Sequence, residues 1–413
     1  MTVSAARREK GPGLGARPSA PARPLKVLHL IDNFGVGGAE AWLIELLRHW
    51  GPRGAVHSDF VATGGQPGPL DEEATALGAK IHHLRFGYDS LPAFASGLRR
   101  ILESGGYDAL HDHQDHASGW HFLMAAGVLP PVRVTHVHNP AYQIRNNYGV
   151  TLRRRITGRA GRRLTAVHAT HILGTSSEAI TAYGFERPEF GRIPKAVLHC
   201  GIDPTRFAHS EAARSSVRAE FGWTNEARVV LFAGRFDISP DPDHPQTHKN
   251  SGFAVDVAIA CARIDPAVCF VFAGPFSATT SELRERIVAA QLEHRIVFTG
   301  VRRDMGRLMA ACDALLFPSR AEGLGMVAVE AQAAGAPVLA STGVPRECVV
   351  VPELMTFLDV AAGPSRWRDT LLSLAHAPRF DPLQANQRVA SSAFSIAASA
   401  ASLEAIYSGG TAG

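Results

Sequence analysis

The stretch Leu25–Trp50, LKVLHLIDNFGVGGAEAWLIELLRHW, carries the fold in the order of its residue types. Leu25–Asp32 is mostly apolar and short, and reads as a buried strand. A turn with three glycines (Gly35, Gly37, Gly38) follows. Gly38–Trp50 then places apolar residues at spacings of three and four, the period of a helix packed along one side. Strand, turn and helix make half of a βαβ unit. The turn also has a chemical implication. Glycine lets backbone approach a ligand closely, and a helix start points free N–H groups outward, which suits a phosphate. The dinucleotide fingerprint GxGxxG would need another glycine where Glu40 stands, so the match is partial, and a tight turn without ligand fits as well.

The unit repeats. Strands are predicted near 56–61, 80–84, 107–111, 132–137, 168–174 and 194–199, with helices near 70–78, 91–103, 117–127 and 152–164. The rhythm restarts with strands at 229–233, 268–273, 296–299, 314–317 and 337–340, separated by helices near 252–263, 281–291, 304–312 and 327–334. Such alternation implies parallel sheets covered on both faces, and two runs of it imply two doubly wound Rossmann-like α/β domains. The expected boundaries are a disordered lead at 1–24, a first domain at 25–203, a second at 204–385, and one last helix at 386–407.

The chain's 413 residues exceed one ordinary domain, in agreement with that division. Hydrophobic residues at 46% and charged residues at 19% exclude bulk disorder. A net charge of +4 does not by itself point to nucleic acid, and no RNA motif is present. No apolar run approaches the roughly 20 residues of a membrane helix. The N-terminus lacks the apolar core of a signal peptide, so a cytoplasmic protein is expected. The cysteines (Cys200, Cys261, Cys269, Cys312, Cys348) form no CxxC pair and read as small core residues.

The sharpest chemical signal is SRAEGLGMVAVEA, Ser319–Ala331. A strand ends at Pro318, a glycine loop carries Glu322, and Glu330 lies about one turn into the helix that starts near Met326. The helix start favours an anion, whereas carboxylates accept hydrogen bonds from hydroxyls. Phosphate on backbone N–H groups with hydroxyls on flanking glutamates describes a sugar nucleotide. The same residues also fit a surface glutamate and a helix glutamate without ligand.

Glu322-Gly323-Leu324-Gly325-Met326 through Glu330-Ala331, then Ala334-Gly335 and Pro337-Val338, resembles the E-x7-E motif of the retaining GT-B glycosyltransferases of family 4, especially enzymes of the exopolysaccharide and capsule type. Phe34–Glu40 resembles the family's G-G-A-E loop, Gly174–Glu178 and Gly201-Ile202-Asp203 its V-S-E and N-G-V/I-D segments, and Gly234-Arg235 its G-R. The order is consistent from about 25 to 407, and the resemblance implies a GT-B fold whose C-terminal helix packs back on the N-terminal, acceptor-binding domain. It implies that the second domain holds a nucleoside-diphosphate sugar, with Arg235 and Lys249 clamping the diphosphate. Glu322 would meet the sugar hydroxyls and Glu330 the ribose. The backbone of Gly323, Leu324, Gly325 and Met326 would line sugar and phosphates, Gly37 and Gly38 would approach from the first domain, and the base would pack near Val301-Arg302. His138, or second to it His113, would contact the donor sugar or acceptor. Residues Asp237–Thr247 lengthen the usual spacing between arginine and lysine, and Cys200 replaces the usual asparagine. The family's chemistry is front-face transfer with retention, the leaving diphosphate taking the acceptor proton, with no cofactor and no metal.

His111-Asp112-His113, His116 and His136-Val137-His138 raise a metal, but lack the tighter pairs of a structural zinc site. Asp241-Pro242-Asp243 mimics a D-x-D metal motif, yet sits in a proline-rich insertion. Residues 133–177 hold eight arginines and no acidic residue. Within 145–163 arginines alternate with Tyr148, Leu152 and Ile156, and Ile144 precedes them. That mixture suggests peripheral contact with an anionic membrane on the inner face of the plasma membrane, or a lipid-linked acceptor, as alternatives to a solvated basic face. The acceptor classes left open are glycan, lipid-linked and small-molecule. Rival readings are a natural-product glycosyltransferase, a non-catalytic relative holding a glycan or nucleotide sugar, a glycoside hydrolase using Glu322 and Glu330, and a dehydrogenase.

Overall fold

A computed structural model describes residues 23–410 apart from 139–150, 240, 242, 243, 245 and 246. Most of the expected lead, Asn139-Pro140, Ile144, Arg145 and Tyr148, and Asp243 of the D-x-D lie outside the described residues.

Two parallel sheets form. The first contains β1 (Leu25–Ile31), β2 (Val56–Ala62), β3 (Ile81–His83), β4 (Ala109–Asp112), β5 (Val132–Val137), β6 (His171–Gly174) and β7 (Lys195–Val197), in the order β3-β2-β1-β4-β5-β6-β7. The second contains β8 (Arg228–Ala233), β9 (Val268–Ala273), β10 (Ile296–Gly300), β11 (Ala314–Phe317), β12 (Val338–Ser341) and β13 (Met355–Leu358), in the order β10-β9-β8-β11-β12-β13. Both are doubly wound, and their order reverses between β1 and β4 and between β8 and β11. Ligands of such sheets bind beyond the strands' carboxyl ends at the reversal. The loops after β1, β4, β8 and β11 are therefore the ones that matter.

Helices cover both faces of each sheet. On one face of the first, Trp42, Leu43 and Leu46 of the helix Gly38–Trp50 pack with Leu403, Ile406 and Tyr407. On the other, Phe94, Leu98, Phe122 and Phe190 pack together. Each such large side chain contributes about 1.5–3 kcal/mol on burial.

The segment 386–407 is two helices, Pro382–Ala390 and Ile396–Tyr407, where the spacing predicted one. The first keeps Ala385 and Val389 in the core of the second sheet. The second crosses to the first domain, where Trp42 Nε1 donates to Ser399 Oγ (2.9 Å) and Trp50 Nε1 to Glu404 Oε1 (2.9 Å). The break has a cause. Ile202 N–H donates to Phe394 O (2.8 Å) and Ile396 N–H to Ile202 O (2.7 Å), which draws 394–396 out of the helix, and Ser395 Oγ caps the second helix by accepting from Ala398 N–H. Gly201 permits the approach, since a Cβ there would lie 2.7 Å from Ile396 Cα. The edge strand β13 and the helix Gly363–His376 were not predicted. The strand is short and half-buried, and the helix opens on Gly-Pro, which reads as a breaker. Among the described residues no helix is long and apolar enough to cross a membrane.

Candidate active site between the two sheets

The loop after β11 ends at Gly325, whose φ of +87° suits glycine, and a Cβ there would press within 3.1 Å of Phe317 and Val344. This turn starts the helix Met326–Ala333, whose first N–H groups receive no side-chain cap among the described residues. Met326 touches the cores of both domains, so this positive helix end faces the cleft. Glu322 is buried in the loop and accepts a hydrogen bond from Lys249 Nζ at 2.5 Å.

Lys249 reaches that position although Asp237–Thr247 intervene after Arg235. The Asp237 carboxylate accepts from Lys249 N–H (2.9 Å), Ser251 N–H (2.7 Å) and Ser251 Oγ (2.9 Å). It pins together the two ends of the insertion. Asn250, in the left-handed region at φ 58°, donates from Nδ2 to Pro318 O (3.3 Å) and ties this turn to the loop after β11. The result seats the Lys249 stem over Gly234, beside Arg235. Arg235 is exposed and has no hydrogen bond or ion pair among the described residues. It faces the first domain, where its charge opposes the upward push that burial gives the Glu40 carboxyl.

Glu40 folds back over the start of the helix Gly38–Trp50. A Cβ on Gly37 would lie 2.4 Å from Glu40 Oε2, whereas Gly38 is open. The carboxylate thus occupies the ground above Gly37. Glu330 is half-buried, and its carboxylate makes no hydrogen bond among the described residues. Burial pushes its carboxyl up to about 7, with Arg206 pulling the other way. Arg206 also pairs with Glu45 of the first domain.

The Arg302 side chain is committed elsewhere, to Asp304 (2.8 Å) and Glu220 (2.6 Å). Next to it Val301 is 48% exposed, and Phe276 is 49% exposed with its ring against Gly300 and the Arg284 guanidinium 4.5 Å from its centroid.

On the first-domain side five imidazoles converge. In register, His29 of β1 lies beside His111 of β4, and the two-residue period puts His113, His136 and His138 on the same face. His29 Nδ1 lies 3.0 Å from His113 Nε2, and His113 Nδ1 lies 2.9 Å from His138 Nε2. His111 Nε2 meets His136 Nδ1 at 3.1 Å, and His111 Nδ1 meets Tyr407 Oη at 2.5 Å. Burial pushes His29 down to about 3 and His138 to about 4, and lowers His111, His113 and His136 well below the usual range. All five are neutral at pH 7. His29 Nε2, His136 Nε2 and His138 Nδ1 are buried without a hydrogen-bond partner. Each such atom costs about 1–3 kcal/mol.

This constellation, two facing switch points with glycine loops, two cations and two glutamates, has relatives. Residues 227–375 match the family "Glycosyl transferases group 1", and residues 36–206 match "Glycosyltransferase Family 4". The chain belongs to the family 4 glycosyltransferases. EpsF of Bacillus subtilis strain 168, named a glycosyltransferase, is 27% identical over 356 residues, covering 86% of this chain and 88% of its own. A D-inositol 3-phosphate glycosyltransferase of Catenulispora acidiphila is 29% identical over 349 residues, covering 76% of each. Among solved structures, HepE of Anabaena in complex with UDP and glucose superposes with a TM-score of 0.69 at 20% identity, over 92% of this chain and 98% of its own. The fold is GT-B.

In this glycosyltransferase the structure brings Arg235, Lys249, Glu322 and the start of the Met326 helix together, and places Gly37 and Gly38 on the facing domain. Sequence reasoning missed Asp237, Phe276 and His29. Asp237 carries no motif. His29 carries no motif either, because only the register of β1 against β4 puts it on the face of His111 and His113.

Proposed function

We propose that this glycosyltransferase moves a sugar from a nucleoside-diphosphate donor to an acceptor hydroxyl with retention of anomeric configuration. The observation that carries the reading is the Lys249–Glu322 pair, set beside exposed Arg235 under an uncapped helix start. A diphosphate would take the ammonium from Glu322, bridging Lys249 and Arg235 as negative charge grows on the leaving group. Glu322, so released, would accept hydroxyls of the sugar. The backbone of Gly323, Leu324, Gly325 and Met326 would line sugar and phosphates, Gly37 and Gly38 would close on the diphosphate, and Glu330 would hold the ribose. The base would lie on Phe276 and Val301. His138 would meet the sugar from the first domain, as a neutral ring. The leaving phosphate would take the acceptor proton, so no protein base, cofactor or ion at the diphosphate is needed. The likeness to HepE, solved with UDP-glucose, supports a nucleotide sugar, and that to EpsF supports extracellular or capsular polysaccharide as the setting.

Saturation-transfer NMR with a panel of UDP-, GDP- and dTDP-sugars tests the donor site. One donor is expected to bind, and Glu330→Ala to weaken it at least tenfold, about 1.4 kcal/mol. Folded protein that binds no member of the panel would overturn the reading.

The acceptor side points to an anionic surface. The helix Leu152–His168 leaves Leu152 74% and Ile156 57% exposed. An apolar groove between Trp120, Leu123, Ile156 and Leu164 is flanked by Arg159 and Arg163. We read this face as resting on anionic lipid at the inner membrane surface, where a lipid-linked acceptor would be met. Basic side chains near such a surface contribute about 1 kcal/mol each. The protein is expected to sediment with phosphatidylglycerol vesicles but not with phosphatidylcholine, and to lose this in high salt or as Ile156→Asp. Equal recovery with both vesicle types would refute the contact.

A further inference from the structure

We propose that His113, His136 and His138 form a binding site for one divalent transition-metal ion of the zinc, cobalt and nickel class. The site shares His138 with the sugar contact proposed above but otherwise lies apart from the donor loops, and its test needs no sugar nucleotide.

Each of the three histidines offers a ring nitrogen, and the three nitrogens lie within 4.8 Å of one another. A tetrahedral ion with metal–nitrogen bonds of about 2.0–2.1 Å holds its ligand nitrogens about 3.3 Å apart, so shifts of up to about 1.5 Å, with opening of the His113–His138 contact, complete the set. The rings are tilted by 33–38° with centroids 4.2–5.6 Å apart, so they are not locked in a parallel stack.

The other groups form the supporting layer that metal-bound imidazoles use. His29 Nδ1 engages His113 Nε2 and leaves His113 Nδ1 toward His138. His111 Nε2 engages His136 Nδ1 and leaves His136 Nε2 without a partner. Tyr407 holds His111 from behind. No carboxylate belongs to the triad, and imidazole alone selects borderline ions over magnesium or calcium. His138 is half-buried just past the end of its strand. Three protein ligands leave a fourth position for water.

The test uses the full chain, stripped with chelator and titrated with Co2+ in the absence of any sugar nucleotide. One equivalent is expected to bring up the visible bands of tetrahedral cobalt, and Zn2+ to displace them. His138→Ala, at the rim, and His136→Asn, in the core, should each weaken the apparent Kd more than tenfold. Thermal unfolding reports independently: Zn2+ should raise the Tm of the wild type and leave that of His138→Ala unmoved. Absence of cobalt bands and of a Tm shift, as for a cluster satisfied by water, would overturn the site. Bands or shifts that persist in both folded variants would place the ion elsewhere and overturn it equally.

Discussion

Lys249→Met is expected to lower kcat by about 100- to 1,000-fold, the usual loss when one group stabilising charge in a transition state is removed. The substitution keeps the aliphatic stem over Gly234 and deletes only the ammonium. It also leaves the Glu322 carboxylate without its 2.5 Å partner. Lys249→Arg should rescue little, because a planar guanidinium does not fit a seat built for a compact ammonium. Asp237→Ala should act in the same direction with a smaller effect, since it frees the turn rather than removing the charge. Asp237→Asn should recover part of the loss by keeping some of those contacts. Release of nucleoside diphosphate under saturating donor is the measurement. A Lys249→Met enzyme within threefold of wild type would show that the lysine does not meet the leaving group.

Donor affinity should rise as pH climbs through about 7, because burial holds the Glu330 carboxyl near that value. The ribose hydroxyls bond to the ionised form, so binding must drive off the proton that Glu330 keeps below pH 7. A charge-assisted bond of about 1.5–3 kcal/mol corresponds to roughly 10- to 100-fold in Kd between acid and alkaline limits. Stability runs the opposite way. The folded-state value lies above the ordinary 4.5, so this group's contribution is fullest below that value and is lost as pH rises toward 7. Calorimetry of donor binding across pH, beside Glu330→Gln, decides the matter. The variant should bind weakly and without this slope. A wild-type profile as flat as the variant's would remove Glu330 from the ribose.

Much of this architecture was legible because parallel strands buried on both faces leave plain apolar runs. The strand predicted at 132–137 and the helix at 38–50 form with those ends. Local pattern failed where tertiary contacts decide. Nothing near Ala393 says that Ile202, almost two hundred residues earlier, will pull the chain straight and divide the last helix. The same limit applied to the site. E-x7-E shows itself in sequence, but the link from Arg235 to Lys249 runs through a proline-rich insertion whose closure depends on Asp237. The histidines were visible as two H-x-H pairs. Their union needed the register of β1, β4 and β5, and the supporting Tyr407 arrives from the far end of the chain.

The chain passes from one domain to the other at Ile202 and returns at Ser395, and the two passages are bonded to each other. A pair of bodies joined at two distant points could barely move, and joined at one loose point could wander. Joined by the chain at two points that coincide, they are expected to swing like a door on one pin rather than slide. The loop at Gly37 and Gly38 must then meet Arg235 along an arc. Probes across the cleft should report large changes in separation when the donor arrives, while a pair flanking Ile202 and Ser395 reports none.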